Sequence, residues 1–147
     1  MLNFKNIHIG NFIGQQVEEN GTDMSRICNF MNCTEDEVEK MISSDNLPTD
    51  ILLKWSKLLE YDFFRLYSQH LILFAPPAAR NKKQQKDDQQ KSALPQFRKN
   101  IYSKEVIDFC LEQIATGKMT KNKVIERYCI PKTTLYKWIS KYGNSGN

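Results

Sequence analysis

TKNKVIERYCIPKTTLYKWISKY, residues 120–142, holds two apolar patterns of helical period with a break between them. Val124, Ile125 and Tyr128 share one side of a short helix. Thr120 can cap it, because a threonine hydroxyl accepts from a free backbone N–H of the first turn. Leu135, Trp138, Ile139 and Tyr142 occupy positions i, i+3, i+4 and i+7 of the helix that follows. Between them Cys129-Ile130 leaves room only for a tight turn. Pro131 suits the first helical position, where its missing N–H has no partner to lose. Upstream, Val106, Phe109, Cys110 and Ile114 line one more helix, stopped at Thr116-Gly117. Residues 102–143 therefore read as a trihelical unit whose last two helices meet at a tight turn.

At about 100° per residue, the last helix turns Thr133, Thr134, Tyr136, Lys137, Ser140 and Lys141 away from its apolar stripe. Lys132 stands at its leading end. This face has lysines, small hydroxyl residues and a phenol, and no acid. A helix entering the DNA major groove uses such groups, ammonium for phosphates or guanine and short donors for base edges. Lys118, Lys121 and Lys123 precede and open the helix before it, where a backbone contact is met. The candidate DNA-binding residues are Lys121, Lys123, Lys132, Thr133, Thr134, Tyr136, Lys137, Ser140 and Lys141. The plain alternative is a solvated helix face of the kind that lysine often decorates.

The charge distribution points the same way. Residues 1–74 carry 6 Lys and Arg against 11 Asp and Glu, residues 75–102 carry 7 against 2, and residues 103–147 carry 8 against 4. An acidic N-terminal half precedes a basic C-terminal half, so a polyanion belongs with the second. Residues 75–101 read as a basic, polar linker, because Arg80 to Ser92 includes no apolar residue and Pro76, Pro77 and Pro95 flank it. With nothing there to bury, a mobile tether is expected.

Residues 8–74 read as five short helices. Ile9, Phe12, Ile13 and Val17 share one face of the first, which Asn20-Gly21 ends. Met24, Ile27, Cys28 and Met31 line the second, with Thr22 or Asp23 as its cap. Thr34-Glu35-Asp36-Glu37 is a capping box for the third, whose apolar face is Val38, Met41 and Ile42 and which breaks at Ser44 to Pro48. Thr49 is placed to cap a fourth helix with Ile51, Leu52, Trp55, Leu58 and Leu59 inward, and Asp62 to start a fifth carrying Phe63, Phe64, Leu66 and Tyr67. The expected fold is all-α: a five-helix domain, a polar linker and a trihelical domain.

Two resemblances follow from these residues. The string from Val124 through Tyr128-Cys129-Ile130-Pro131 to Lys132-Thr133-Thr134-Leu135-Tyr136-Lys137-Trp138 resembles the helix-turn-helix of transposases and pipsqueak-type DNA-binding domains. That pattern carries glycine where Cys129 stands, so a slightly altered turn is expected. The five-helix layout, with its ending Leu58-Leu59-Glu60-Tyr61-Asp62-Phe63-Phe64, resembles the lambda-repressor-like (Cro/C1-type) domain. The resemblance implies a DNA-reading pair at about 23–32 and 34–43. Glu35, Asp36, Glu37 and Glu39, offset only by Lys40, would meet phosphates with like charge, so this domain is expected to serve dimerisation or partner docking instead.

Other classes of function find little in the sequence. Cys28, Cys33, Cys110 and Cys129 form no Cys-x-x-Cys pair, and neither His8 nor His70 is spaced to join them around zinc. Buried free thiols are expected, with no metal and no cofactor. No phosphate-binding glycine loop, nucleophile beside a base or two-metal carboxylate set is visible, so no catalytic residue and no small-molecule substrate is assigned. Met1 to Lys5 lead into polar residues, and the apolar run Leu71 to Ala75 is too short to span a bilayer, which predicts a cytoplasmic protein without a membrane partner. The expectation is a sequence-specific DNA-binding protein, either a transposase-related DNA-recognition subunit or a transcriptional regulator. Its partners would be double-stranded DNA and either a second copy or a separate catalytic transposase subunit. The competing reading is a protein-interaction adaptor whose acidic N-terminal domain docks a partner.

Overall fold

The computed structural model describes residues 4–75, 93–95 and 101–143. Among these residues every regular element is helical: α1 (Ile9–Asn20), α2 (Met24–Met31), α3 (Glu35–Ser43), α4 (Thr49–Leu58), α5 (Phe64–Phe74), α6 (Lys104–Ala115), α7 (Lys121–Tyr128) and α8 (Lys132–Tyr142). The fold is all-α, as the apolar periodicity predicts. None of these helices is long and apolar enough to cross a membrane. The chain divides into two compact units, one of Asn3–Ser68 and one of Gln69–Asn147 with Met1–Leu2, the division falling inside α5. Almost all of the expected linker, 75–101, lies outside the described residues.

In the unit of residues 3–68, α1 packs on α3, and α2 packs on α3 and α4. Ile9, Ile13, Ile27, Val38, Trp55 and Phe63 are fully enclosed at its centre. Each comes from an apolar stripe expected from the sequence, and burial of such side chains contributes about 1.5–3 kcal/mol apiece. One expectation is corrected, at Thr49, and three side chains are less covered than their apolar or aromatic character suggests. Met41 and Ile42 are only half-buried, since a third helix of 9 residues turns mainly Val38 inward. Tyr67 is 37% exposed, although partial burial still pushes its phenol above the ordinary value. Thr49 does not cap α4: Pro48 takes the capping position and Thr49 is already helical.

Helix ends follow local chemistry closely. Gly21 ends α1 at φ 57°, in the left-handed region where glycine carries no Cβ penalty. His8 caps the other end, its Nδ1 accepting from the Asn11 N–H at 3.3 Å. Asp23, not Thr22, precedes α2, and its carboxylate accepts from the Ser25 hydroxyl rather than from the helix backbone. The capping box of α3 is complete: Glu37 N–H donates to Thr34 Oγ1 at 3.3 Å, and Thr34 N–H donates to Glu37 Oε2 at 2.8 Å.

Gly10 lets α1 enter against the end of α3. Its N–H donates to the Ser44 carbonyl at 3.0 Å, and the Ile9 N–H reaches the Asp45 carbonyl at 3.3 Å. A Cβ on residue 10 would collide with the Ile42 carbonyl and stand 2.6 Å from the Ser44 oxygen. Both obstacles are backbone, so side-chain rotation gives no relief. Gly10→Ala is therefore expected to destabilise the unit by about 1–3 kcal/mol. Gly14→Ala, whose Cβ meets only an Ile42 methyl at 3.1 Å, is the milder change, since helix propensity returns about 1 kcal/mol. Urea unfolding of the two variants checks the ranking.

The capping box also sets a pH response. Hydrogen bonds from Thr34 hold the Glu37 carboxyl below its ordinary value of 4.5. A depressed folded value means that the contribution is full above 4.5 and is lost as pH falls through the folded value. Thermal unfolding of the wild type is expected to fall more steeply than that of Glu37→Gln on going from about pH 5 to about pH 3. Parallel curves for the two proteins would remove the box as a source of acid sensitivity.

Candidate nucleic-acid interface

In the unit beginning at Gln69, α6, α7 and α8 pack against one another pairwise. Val106, Cys110, Val124, Ile130 and Leu135 are fully enclosed, and Tyr128 and Trp138 are nearly so. Tyr102 meets Trp138 edge to face at 4.9 Å between ring centroids, and Phe109 meets Tyr128 in the same manner at 6.2 Å. Ile139 and Tyr142, expected inward on α8, are half-buried at its rim. Ser103 caps α6, its hydroxyl accepting from the Val106 N–H at 3.4 Å.

One buried polar side chain lies outside the sequence-based reading. Gln69, 4% exposed, donates its amide to the Ile101 carbonyl at 3.0 Å and accepts from the Ser103 N–H at 2.9 Å. Both ends of the side chain are thus satisfied, which a buried amide requires. Its partners stand more than thirty residues away, so no local pattern announces it.

The turn between α7 and α8 comprises Cys129, Ile130 and Pro131. Thr120 caps α7 as expected, accepting from the Lys123 N–H at 3.2 Å. Cys129 adopts φ 53° and ψ 35°, the left-handed conformation that glycine would take more freely. The local turn is therefore left-handed, at a cost of about 1 kcal/mol in backbone energy for a residue that carries a Cβ. Ile130 is buried. Pro131 stands one place earlier than expected, at the cap, and its carbonyl accepts from Thr134 at 2.9 Å and from Leu135 at 3.1 Å. With α8 anchored there and by Leu135 and Trp138, its other side is fixed toward solvent.

Lys132, Thr133, Tyr136, Lys137, Ser140 and Lys141 are exposed on α8, and Lys121 and Lys123 on α7. Thr134 is half-buried beside Leu135, which leaves it the least available of the nine candidates. Tyr136 gathers cations from both helices: Lys121 Nζ lies 5.5 Å and Lys132 Nζ 5.6 Å from its ring centroid. Cation–π attraction at an exposed site contributes about 0.5–1 kcal/mol per pair. That is enough to bias two flexible lysines toward one patch. From α8 alone Tyr136 belongs with the groups facing DNA; its contact with Lys121 depends on α7 lying beside α8.

Chemistry of other kinds is sparse around this face. Burial pushes the Cys110 thiol up to about 12, so it stays protonated and inert at neutral pH. All four cysteines are free thiols, but only Cys110 is buried; Cys28, Cys33 and Cys129 are half-buried, which corrects the expectation for three of them. Among the described residues no three His, Cys, Asp or Glu side chains converge on a common point. Comparison with family models, with curated proteins and with solved structures gave no match to this chain.

Leu135 and Trp138 hold α8 in place. Leu135→Ala and Trp138→Ala are expected to destabilise α6–α8 by about 2–5 kcal/mol each. Amide hydrogen exchange across residues 104–142 is the measurement. A Trp138→Ala chain whose α8 amides stay as protected as in the wild type would move the indole out of the structural role assigned to it.

Proposed function

We propose that the chain is a sequence-specific double-stranded-DNA-binding protein that reads the major groove with α8 and performs no chemistry on the DNA. It serves as the DNA-recognition subunit of a transposase or as a transcriptional regulator. The observation that carries this reading is the exposed face of α8, which presents Lys132, Thr133, Tyr136, Lys137, Ser140 and Lys141 and no acid. Lys121 and Lys123 extend it onto the start of α7. Ammonium groups at this edge suit phosphates, and the Thr133 hydroxyl and Lys137 ammonium suit base edges near the leading end of the helix.

The unit of residues 3–68 takes a different part in this proposal. Glu35, Asp36, Glu37 and Glu39 are all exposed on or beside the first turns of α3, where a lambda-repressor-like reader would approach phosphates. Like charges oppose that approach. Its assigned task is contact with protein, either a second copy of this chain or a separate catalytic subunit.

Binding sites selected from random duplexes, followed by titrations at several salt concentrations, test the reading on the full chain. Ala substitution at Lys121, Lys123 or Lys141 is expected to weaken binding to all sequences and to lower the slope of log affinity against log salt by roughly 1. Thr133→Ala and Lys137→Ala are expected to cost about 1–3 kcal/mol of preference for the selected site. Tyr136→Phe keeps the ring that attracts Lys121 and Lys132 and retains the wild-type slope, whereas Tyr136→Ala lowers it. If every substitution alters the salt slope alone, the face is an unspecific polyanion grip and the regulator and recognition-subunit readings both fall.

A further inference from the structure

The end of α2 brings two thiols together. Asn32 turns the chain at φ 54° and ψ 54°, and the Cys33 N–H donates back to the Cys28 carbonyl at 3.1 Å. Such a six-residue closure of a helix end sets its first and last residues side by side, frequently with their side chains in contact, and here both are cysteines. A main-chain hydrogen bond between the two residues keeps their Cα atoms near the span that a disulfide bridges, about 4.4–6.8 Å. Both residues are half-buried and free. Burial, with the Cys28 sulfur as the next cause, raises the Cys33 thiol above its ordinary value. The other two thiols lack this arrangement: Cys110 is enclosed, and Cys129 directs its sulfur to the Glu126 carbonyl at 3.8 Å.

We infer that Cys28 and Cys33 form a dithiol site at the α2–α3 joint that low-molecular-weight disulfides oxidise to an intrachain disulfide. In the first step the Cys28 thiolate attacks one sulfur of the small disulfide. The S–S bond of that molecule breaks, one small thiolate leaves and takes up a proton, and a mixed disulfide remains on Cys28. Cys33 then loses its proton and attacks the Cys28 sulfur, expelling the second small thiol. Two protein thiols are oxidised by two electrons, and one small-molecule disulfide is reduced to two thiols. The product staples the last turn of α2 to the residue preceding Thr34, the cap of α3.

Treatment of the reduced full chain with oxidised glutathione, followed by trypsin and mass spectrometry, tests this. Cleavage after Arg26 and Lys40 releases residues 27–40 with both cysteines and neither of the others. The expected peptide is lighter by two hydrogens and carries no glutathione. Cys33→Ser is expected to trap one glutathione on Cys28. Ring closure in the folded chain is expected to be at least about ten-fold faster than in urea, since the fold holds the two sulfurs near each other. Phenylarsine oxide, which needs two adjacent thiols, is expected to bind the reduced wild type one to one and neither single serine variant. Glutathione retained on both cysteines of the wild-type peptide, closure as fast in urea as in the folded state, or arsenical binding that survives Cys28→Ser would each overturn the proposal.

Discussion

Cys129 turns the backbone with φ 53° and ψ 35°, and the two residues after it bury Ile130 and start α8 at Lys132. Three residues leave almost no slack, so the angle between α7 and α8 follows from the turn and from the side chains that close beneath it. Leu135 and Trp138 then fix the rotation of α8 about its own axis. A rotation of one residue, about 100°, would bring lysines inward and aromatic rings outward. Which chemical groups face water on α8 is thus a consequence of packing on its opposite side. The proposed function depends on that constraint before it depends on any lysine.

Most of the fold is legible in the sequence because its helices are short, amphipathic and locally capped. The apolar stripes of α1, α6 and α7 and the caps at Thr34 and Thr120 each follow from residues within one or two turns. What escapes local reading has distant causes. Gln69 is buried by partners at Ile101 and Ser103. Tyr136 meets Lys121 only because α7 lies beside α8. Met41, Ile42 and Tyr67 have the apolar or aromatic character of core residues, yet neighbouring helices cover them only in part. Periodicity shows which face of a helix is apolar, and tertiary packing decides how much of that face is covered.

The two units contrast in how charge is placed on similar scaffolding. In α3 the acids crowd the first turn, where the helix dipole favours them and where Glu37 closes the capping box. The first turn of α8 has Lys132 and no acid, an arrangement that opposes the same dipole. Local helix stability therefore accounts for the acids on α3, whereas Lys132 at the start of α8 is opposed by the dipole and favoured by the Tyr136 ring. A phosphate at that helix end would complement both the dipole and the ammonium.

The contact at Gly10 has a consequence for how this chain can diverge. Its obstacles are the carbonyls of Ile42 and Ser44 rather than side chains, so no single replacement elsewhere can open space for a larger residue. Accommodation requires the path of the main chain over residues 42–45 to change together with position 10. Descendants of this sequence are thus expected to alter the two segments jointly or not at all, which makes a glycine at position 10 a marker of the α1–α3 geometry itself.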